Sequence, residues 1–215
     1  MSKSKVVQKV TSLVMAFAFI FSTCFTHMQG IVKAATNGEV EAGIFVEKVE
    51  GLTDDFINGV DISTLLAEEA SGVVYYNDQG EATDLLKILA DKGVNYVRVR
   101  VWNDPYADEA KTQGYGAGNC TIETAKEIGL REQNYGIKLM VDFHYSDFWA
   151  DPAKYQAPKA WEDMTFTEKE TALYDYTKES MEYLVNSGVE VAMVQVGNET
   201  ISGIAGESGF SNICK

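Results

Sequence analysis

The stretch VNYVRVRVW, Val94 to Trp102, alternates with a period of two: Val97, Val99 and Val101 fall on one face of an extended chain, and Arg98, Arg100 and Trp102 on the other. A strand covered by helices on both faces reads as a nearly continuous apolar run, whereas a strand closed on itself inside a barrel carries a second, different row. IKLMVDFHY, Ile137 to Tyr145, repeats the pattern, with Leu139, Val141 and Phe143 opposing Met140, Asp142 and His144. VAMVQVGNE, Val191 to Glu199, sets Ala192, Val194 and Val196 against Gln195, Gly197 and Glu199, and FINGVDIS, Phe56 to Ser63, sets Val60 and Ile62 against Asp61. Four strands with a polar row facing inwards follow from this reading.

Helical periodicity fills the intervals. Leu85, Ile88 and Leu89 mark a helix near Glu81 to Lys92, stopped by Gly93, and a second runs from Thr121 to Tyr135, stopped by Gly136. A third is expected from a capping box of Thr167 and Glu170, with Leu173, Tyr176, Tyr183 and Leu184 on one face up to Gly188. Strand and helix in strict alternation, joined by short turns, imply parallel strands with right-handed crossovers, hence an α/β fold. Order alone leaves a doubly wound sheet and a (β/α) barrel both open; the alternation within the strands favours the barrel.

Of 215 residues, 46% are apolar and 23% charged, the profile of a compact globular chain. The formal charge is -14, which argues against nucleic acid or an anionic membrane as the main partner. Residues 1–34 carry Lys3, Lys5, Lys9 and Lys33 and no acid, so the remainder is more acidic still. That segment reads as a secretory signal peptide: lysines, an apolar run from Leu13 to Phe21, then Val32-Lys33-Ala34 with small residues placed for cleavage. Residues 35–55 form a lead-in and residues 56–215 the barrel portion. Beyond the signal the chain has two cysteines, Cys120 and Cys214, and one histidine, His144, too few for a disulfide framework or a His-rich metal site.

Barrel enzymes hold their chemistry on the loops after the strands. The two long loops here, Trp102 to Cys120 and Tyr145 to Thr165, carry Trp102, Tyr106, Tyr115, Tyr145, Phe148, Trp149, Tyr155 and Trp161. Flat aromatic faces beside carboxylates and amides suit a sugar ring. Glu199 ends a strand with no Lys or Arg within ten residues on either side. A carboxyl partly buried away from cations keeps its proton, as a general acid must; the competing reading is a Glu that caps the next helix. Asp142 reads as a structural partner of an arginine, and His144, at a strand tip, as a donor towards a substrate hydroxyl or the acid itself. Trp149 and Trp161, taken singly, read equally as packing beneath a loop. Gly114 to Gly118 and Gly206 to Gly209 match neither a dinucleotide fingerprint nor a nucleophile elbow and read as loop glycines.

Three segments, VRVRVWNDP (Val97 to Pro105), DFHYSDFWADP (Asp142 to Pro152) and VGNE (Val196 to Glu199), are similar to signature stretches of the glycoside hydrolase family 53 endo-β-1,4-galactanases, and the resemblance runs from about Val46 to Gly209. It implies an eightfold (β/α) TIM barrel with strands one to four present here, and secreted hydrolysis of β-1,4-galactan in pectic arabinogalactan. The family's acid/base glutamate follows an asparagine at the end of strand four, which Glu199 matches; its nucleophile ends strand seven. By the same resemblance Asn198 meets the 2-hydroxyl of the cleaved sugar and Arg100 and His144 line that subsite, with Arg98 competing for the arginine's place. Trp102, Asp147 and Trp149 are implied as wall or subsite residues. No metal or cofactor falls in this part, and the family's calcium site, where present, belongs to the C-terminal half.

A complete barrel takes about 250 residues. The expectation is therefore an N-terminal half that lacks the nucleophile and is inactive alone. Two rivals stay open: a non-catalytic galactan-binding half barrel, and a clan relative acting on mannan or cellulose.

Overall fold

A computed structural model of the chain describes Glu47, residues 49–53 and residues 55–209. The expected signal peptide, most of the lead-in, Cys24 and Cys214 lie outside the described residues. The chain divides between Leu52 and Thr53. The described residues of the first unit are exposed, with a turn at Glu50–Gly51; the architecture below belongs to the second.

Four parallel strands form one sheet in the order β1-β2-β3-β4: β1 Gly59–Asp61, β2 Tyr96–Val101, β3 Lys138–Phe143 and β4 Val191–Val196. Helices α1 Leu65–Ala70 and α2 Leu85–Asp91 join β1 to β2, α3 Ile122–Glu132 joins β2 to β3, and α4 Phe166–Asn186 joins β3 to β4. A two-residue hairpin, β5 Gly203–Ile204 and β6 Glu207–Ser208, follows β4. Sequential parallel pairing with a helical crossover each time is the (β/α)-barrel pattern rather than a doubly wound one, whose strand order reverses at a switch point.

The row predicted to face the helices does so. Val97, Val99 and Val101 pair in register with Leu139, Val141 and Phe143, and all six are fully buried in one core with Leu86, Ala125, Ile128 and Leu184 from the helices. On β4 the same row is less covered: Val196, opposite Phe143, is 63% exposed, with no described helix over it.

The helical segments before β2, β3 and β4 stop where the sequence places a glycine, α3 by way of a 3-10 turn over Gln133–Tyr135, because Gly93, Gly136 and Gly188 adopt φ of +83°, +70° and +86°, a region L side chains avoid. The capping box of α4 lies two residues earlier than expected. Thr165 is the N-cap in extended backbone and Glu168 the reciprocal partner, its Oε2 accepting from Thr165 N at 2.8 Å. Both Thr-x-x-Glu pairs fit the motif; Phe166 starts the helix, which puts Thr167 and Glu170 inside it. The first strand is also shorter than Phe56 to Ser63, because Asn58 spends its amide on Gly93 O and its N–H on Asn95 Oδ1 before the ladder begins. Helix α1 and the β5–β6 hairpin carry no signal that the sequence reading recognised.

Three helical elements meet at Arg131 of α3, which bonds both oxygens of Glu69 at 2.8 and 2.9 Å and reaches Asp84, the N-cap of α2, at 3.1 Å.

Candidate active site

The inward row of the sheet is polar, and its members bond one another in a fixed order. Arg98 of β2 donates from Nη1 to Asp61 at 2.8 Å, and from Nη2 to Asp142 on β3 and to Asn198 Oδ1 at 2.8 Å. Asp142, fully buried, also has its Oδ2 3.0 Å from His144 Nε2. The Ala150 N–H donates to His144 Nδ1 at 3.1 Å, which leaves Nε2 to carry the ring's own proton. Asn198 Nδ2 donates to Ala150 O at 2.6 Å. An arginine on its oxygen and a carbonyl on its nitrogen fix which way the amide points.

β4 ends because Gly197 turns into left-handed backbone at φ +82° while its N–H still donates to Phe143 O at 2.9 Å. A Cβ at Gly197 would fall 2.4 Å from Thr200 Cγ2, so only glycine fits. Gln195 brackets the turn, its Nε2 donating to Gly197 O at 3.0 Å and to Asn198 Oδ1 at 3.3 Å. Glu199 follows at φ +48°, a conformation that costs a non-glycine residue about 1–2 kcal/mol and collects at functional positions. Its side chain is exposed and takes no hydrogen bond or ion pair among the described residues. The partial burial expected for Glu199 is therefore absent: the turn lifts it off the strand end into the open mouth.

The two arginines have different work. Arg98 bonds three acceptors through its two terminal nitrogens. Arg100 is buried to 7% exposure; its nearest polar partner is Cys120 Sγ at 4.0 Å, and its guanidinium lies 4.2 Å from the Trp149 ring centre and 5.7 Å from that of Trp102. Donors on Arg100 stay unused among the described residues, and Arg98 is the positioning arginine. Burial is the main force pushing the Cys120 thiol up.

The aromatic residues also separate. Trp149 is 37% exposed with Arg100 against its ring. Trp102, expected as a wall, is 0% exposed, wedged between Phe148 at 4.9 Å and Trp149 at 5.8 Å. It backs the wall instead, because the row that carries it turns beneath the loops. His144, expected at the open tip, is buried for the same reason, with Trp102 and Trp149 edge-on to it. Trp161 packs in the core against Tyr176.

Asp147 joins the two long loops. Oδ1 accepts from Asp104 N at 3.0 Å and Oδ2 from Lys159 N at 2.8 Å, and Lys159 Nζ donates on to Asp104 O and Tyr106 O. Burial raises the Asp147 carboxyl above its ordinary range against the pull of Lys159 and the backbone donors. With both oxygens engaged, Asp147 shapes the mouth rather than facing into it. Lys159, which the sequence reading passed over, had no signal beyond its place after Pro158. Among the described residues no group of three or more His, Cys, Asp or Glu could hold a metal ion.

The C-terminal ends of the parallel strands, where (β/α) barrels hold their sites, thus gather an exposed glutamate, a fixed amide, a guanidinium and a partly open indole. The model of glycosyl hydrolase family 53 matches residues 57–215, and the chain belongs to that family. It is 46% identical over 203 residues to a Bacillus subtilis (strain 168) protein named endo-beta-1,4-galactanase, covering 93% of this chain and 47% of that one. An arabinogalactan endo-beta-1,4-galactanase of Cellvibrio japonicus is 40% identical over 153 residues, 70% of this chain and 38% of that one. Among solved structures, the GH53 catalytic domain of Ignisphaera aggregans superposes with a TM-score of 0.73 at 38% identity, over 79% of this chain and 47% of that one. The chain thus spans about half the length of the relatives it matches.

Proposed function

We propose that this chain carries the acid/base part of a secreted endo-β-1,4-galactanase that cleaves type I arabinogalactan with retention of configuration. The observation that carries the reading is Glu199, exposed at the end of β4 in a strained turn and preceded by an amide whose orientation is locked. In the first half-reaction Glu199 gives its proton to the departing glycosidic oxygen; in the second it takes one from the attacking water. Asn198 has one Nδ2 hydrogen left for the 2-hydroxyl, while Arg100 and Trp149 offer a donor edge and a flat face to the ring. A retaining reaction needs a second carboxylate about 5 Å from the first. We assign it to the part of the relatives' length that this chain does not span, so the 215 residues alone are expected to hydrolyse nothing. Residues 1–34 direct export, and the acidic body favours a neutral polysaccharide over nucleic acid or membrane.

The test is product release from β-1,4-galactan, β-mannan and cellulose by a catalytic domain containing this chain. Galacto-oligosaccharides from galactan alone support the proposal; equal or faster release from mannan or cellulose refutes it. Recovery of the protein from the medium, shortened near Ala34, checks export.

A further inference from the structure

Glu132 ends α3 with its side chain 0% exposed, and neither carboxyl oxygen has a hydrogen-bond partner among the described residues. The packing explains the enclosure. One turn earlier Gly129 lets α3 lie close to β3 and the α4–β4 turn: a Cβ there would fall 2.6 Å from Val189 Cγ1 and 3.0 Å from Leu139 Cδ2. The next residue, Gln133, clamps the same turn, Nε2 donating to Gly188 O at 3.2 Å and Oε1 accepting from Glu190 N at 2.9 Å. Cations on the adjoining elements are engaged elsewhere, Arg131 with Glu69 and Asp84, and Lys138 over the Tyr96 ring. The charged group that acts on Glu132 is Glu190, of like sign.

A carboxylate removed from water with no donor and an anion beside it is strongly disfavoured, whereas the protonated acid is tolerated. We infer that Glu132 is a pH-sensitive latch at the joint between α3 and the α4–β4 turn: the joint stays closed while the carboxyl is neutral and loosens when it ionises. The latch lies where α3 feeds the N-terminal end of β3, at the opposite end of the strands from Glu199, so it acts on the stability of the fold and not on the chemistry. Burial, and Glu190 after it, push the carboxyl up to about 8. In the unfolded chain a glutamate loses its proton near ~4.3. Glu132's contribution is therefore complete below that pH, is lost as pH rises towards about 8, and changes no further above it.

Carboxyl-carbon NMR of the glutamate-labelled chain, with melting curves of wild type, E132Q and E190Q, tests the latch. One resonance, missing from E132Q, is expected to titrate near about 8 in wild type and at lower pH in E190Q. The melting temperature of E132Q relative to wild type is expected to rise by about 4 °C or more between pH 4.5 and 8. A Glu132 resonance titrating in the ordinary glutamate range, or a melting difference constant across that interval, overturns the inference. Should E132Q fail to fold, the wild-type titration and its displacement in E190Q make the same decision.

Discussion

Arg98 of β2 holds Asn198 at the end of β4 by a 2.8 Å hydrogen bond between residues one hundred positions apart, and so fixes the residue that precedes Glu199. The same guanidinium neutralises Asp142, which is fully buried with no other Lys or Arg partner among the described residues. Breaking a buried pair from one side leaves an uncompensated charge, which costs about 3–5 kcal/mol. R98M is accordingly expected to lose roughly that much in urea unfolding, and R98K to recover only part of it, since a single ammonium cannot span Asp61, Asp142 and Asn198. A loss below ~1 kcal/mol in R98M would show that the network is not what holds the strand ends.

Packing between α3 and β3 depends on the missing side chain at Gly129. G129A gains about 1 kcal/mol of helix propensity but forces a methyl into Val189 and Leu139, and overpacking costs ~1–3 kcal/mol. The expected outcome is net destabilisation, read as a lower urea midpoint; an unchanged or higher midpoint would mean that the α4–β4 turn yields freely.

Much of this fold was legible because its strongest signals are local. Valines at 97, 99 and 101 alternate with arginines over a few residues, and three glycines each end a helix in the one conformation that suits them. The capping box was ambiguous because Thr165 and Glu168 have the same spacing as Thr167 and Glu170, and only the backbone of Thr165 separates them. The place of Glu199 at a strand end was readable, its exposure was not, and Asn198 stood out only through the family resemblance. The division of labour between Arg98 and Arg100 was not legible, since both lie on the same face and only the placing of Asp61, Asp142 and Asn198 from or after three other strands separates them. Burial of Trp102 and His144 escaped for a similar reason: strand alternation tells which face a side chain takes, not how deeply the following loops cover it.

Trp149 forms the exposed part of the wall, with the buried Arg100 guanidinium 4.2 Å from its ring centre. W149A removes both the stacking face and the partner of Arg100. In a galactan-cleaving domain it is expected to raise KM about tenfold, corresponding to roughly 1–2 kcal/mol, with a smaller effect on the melting temperature. Unchanged KM would place the sugar elsewhere.

Cys120 is buried between Ser63 O and Ala117 O, each 3.5 Å from Sγ, and burial disfavours its thiolate. Its peptide is expected to resist labelling by a disulfide reagent at pH 8 in the native protein and to label rapidly in denaturant. Native labelling at the rate of a free thiol would show that the loop from Trp102 to Cys120 opens readily.

The assignment of Glu199 is tested most directly by E199Q in a galactan-hydrolysing domain that contains this chain, assayed on galactan and on an aryl β-galactoside whose leaving group needs no proton. Loss of the acid/base is expected to slow galactan hydrolysis by about 10²–10⁴-fold while cleavage of the activated glycosidic bond suffers far less. If E199Q keeps most of its activity on galactan, Glu199 is not the proton donor.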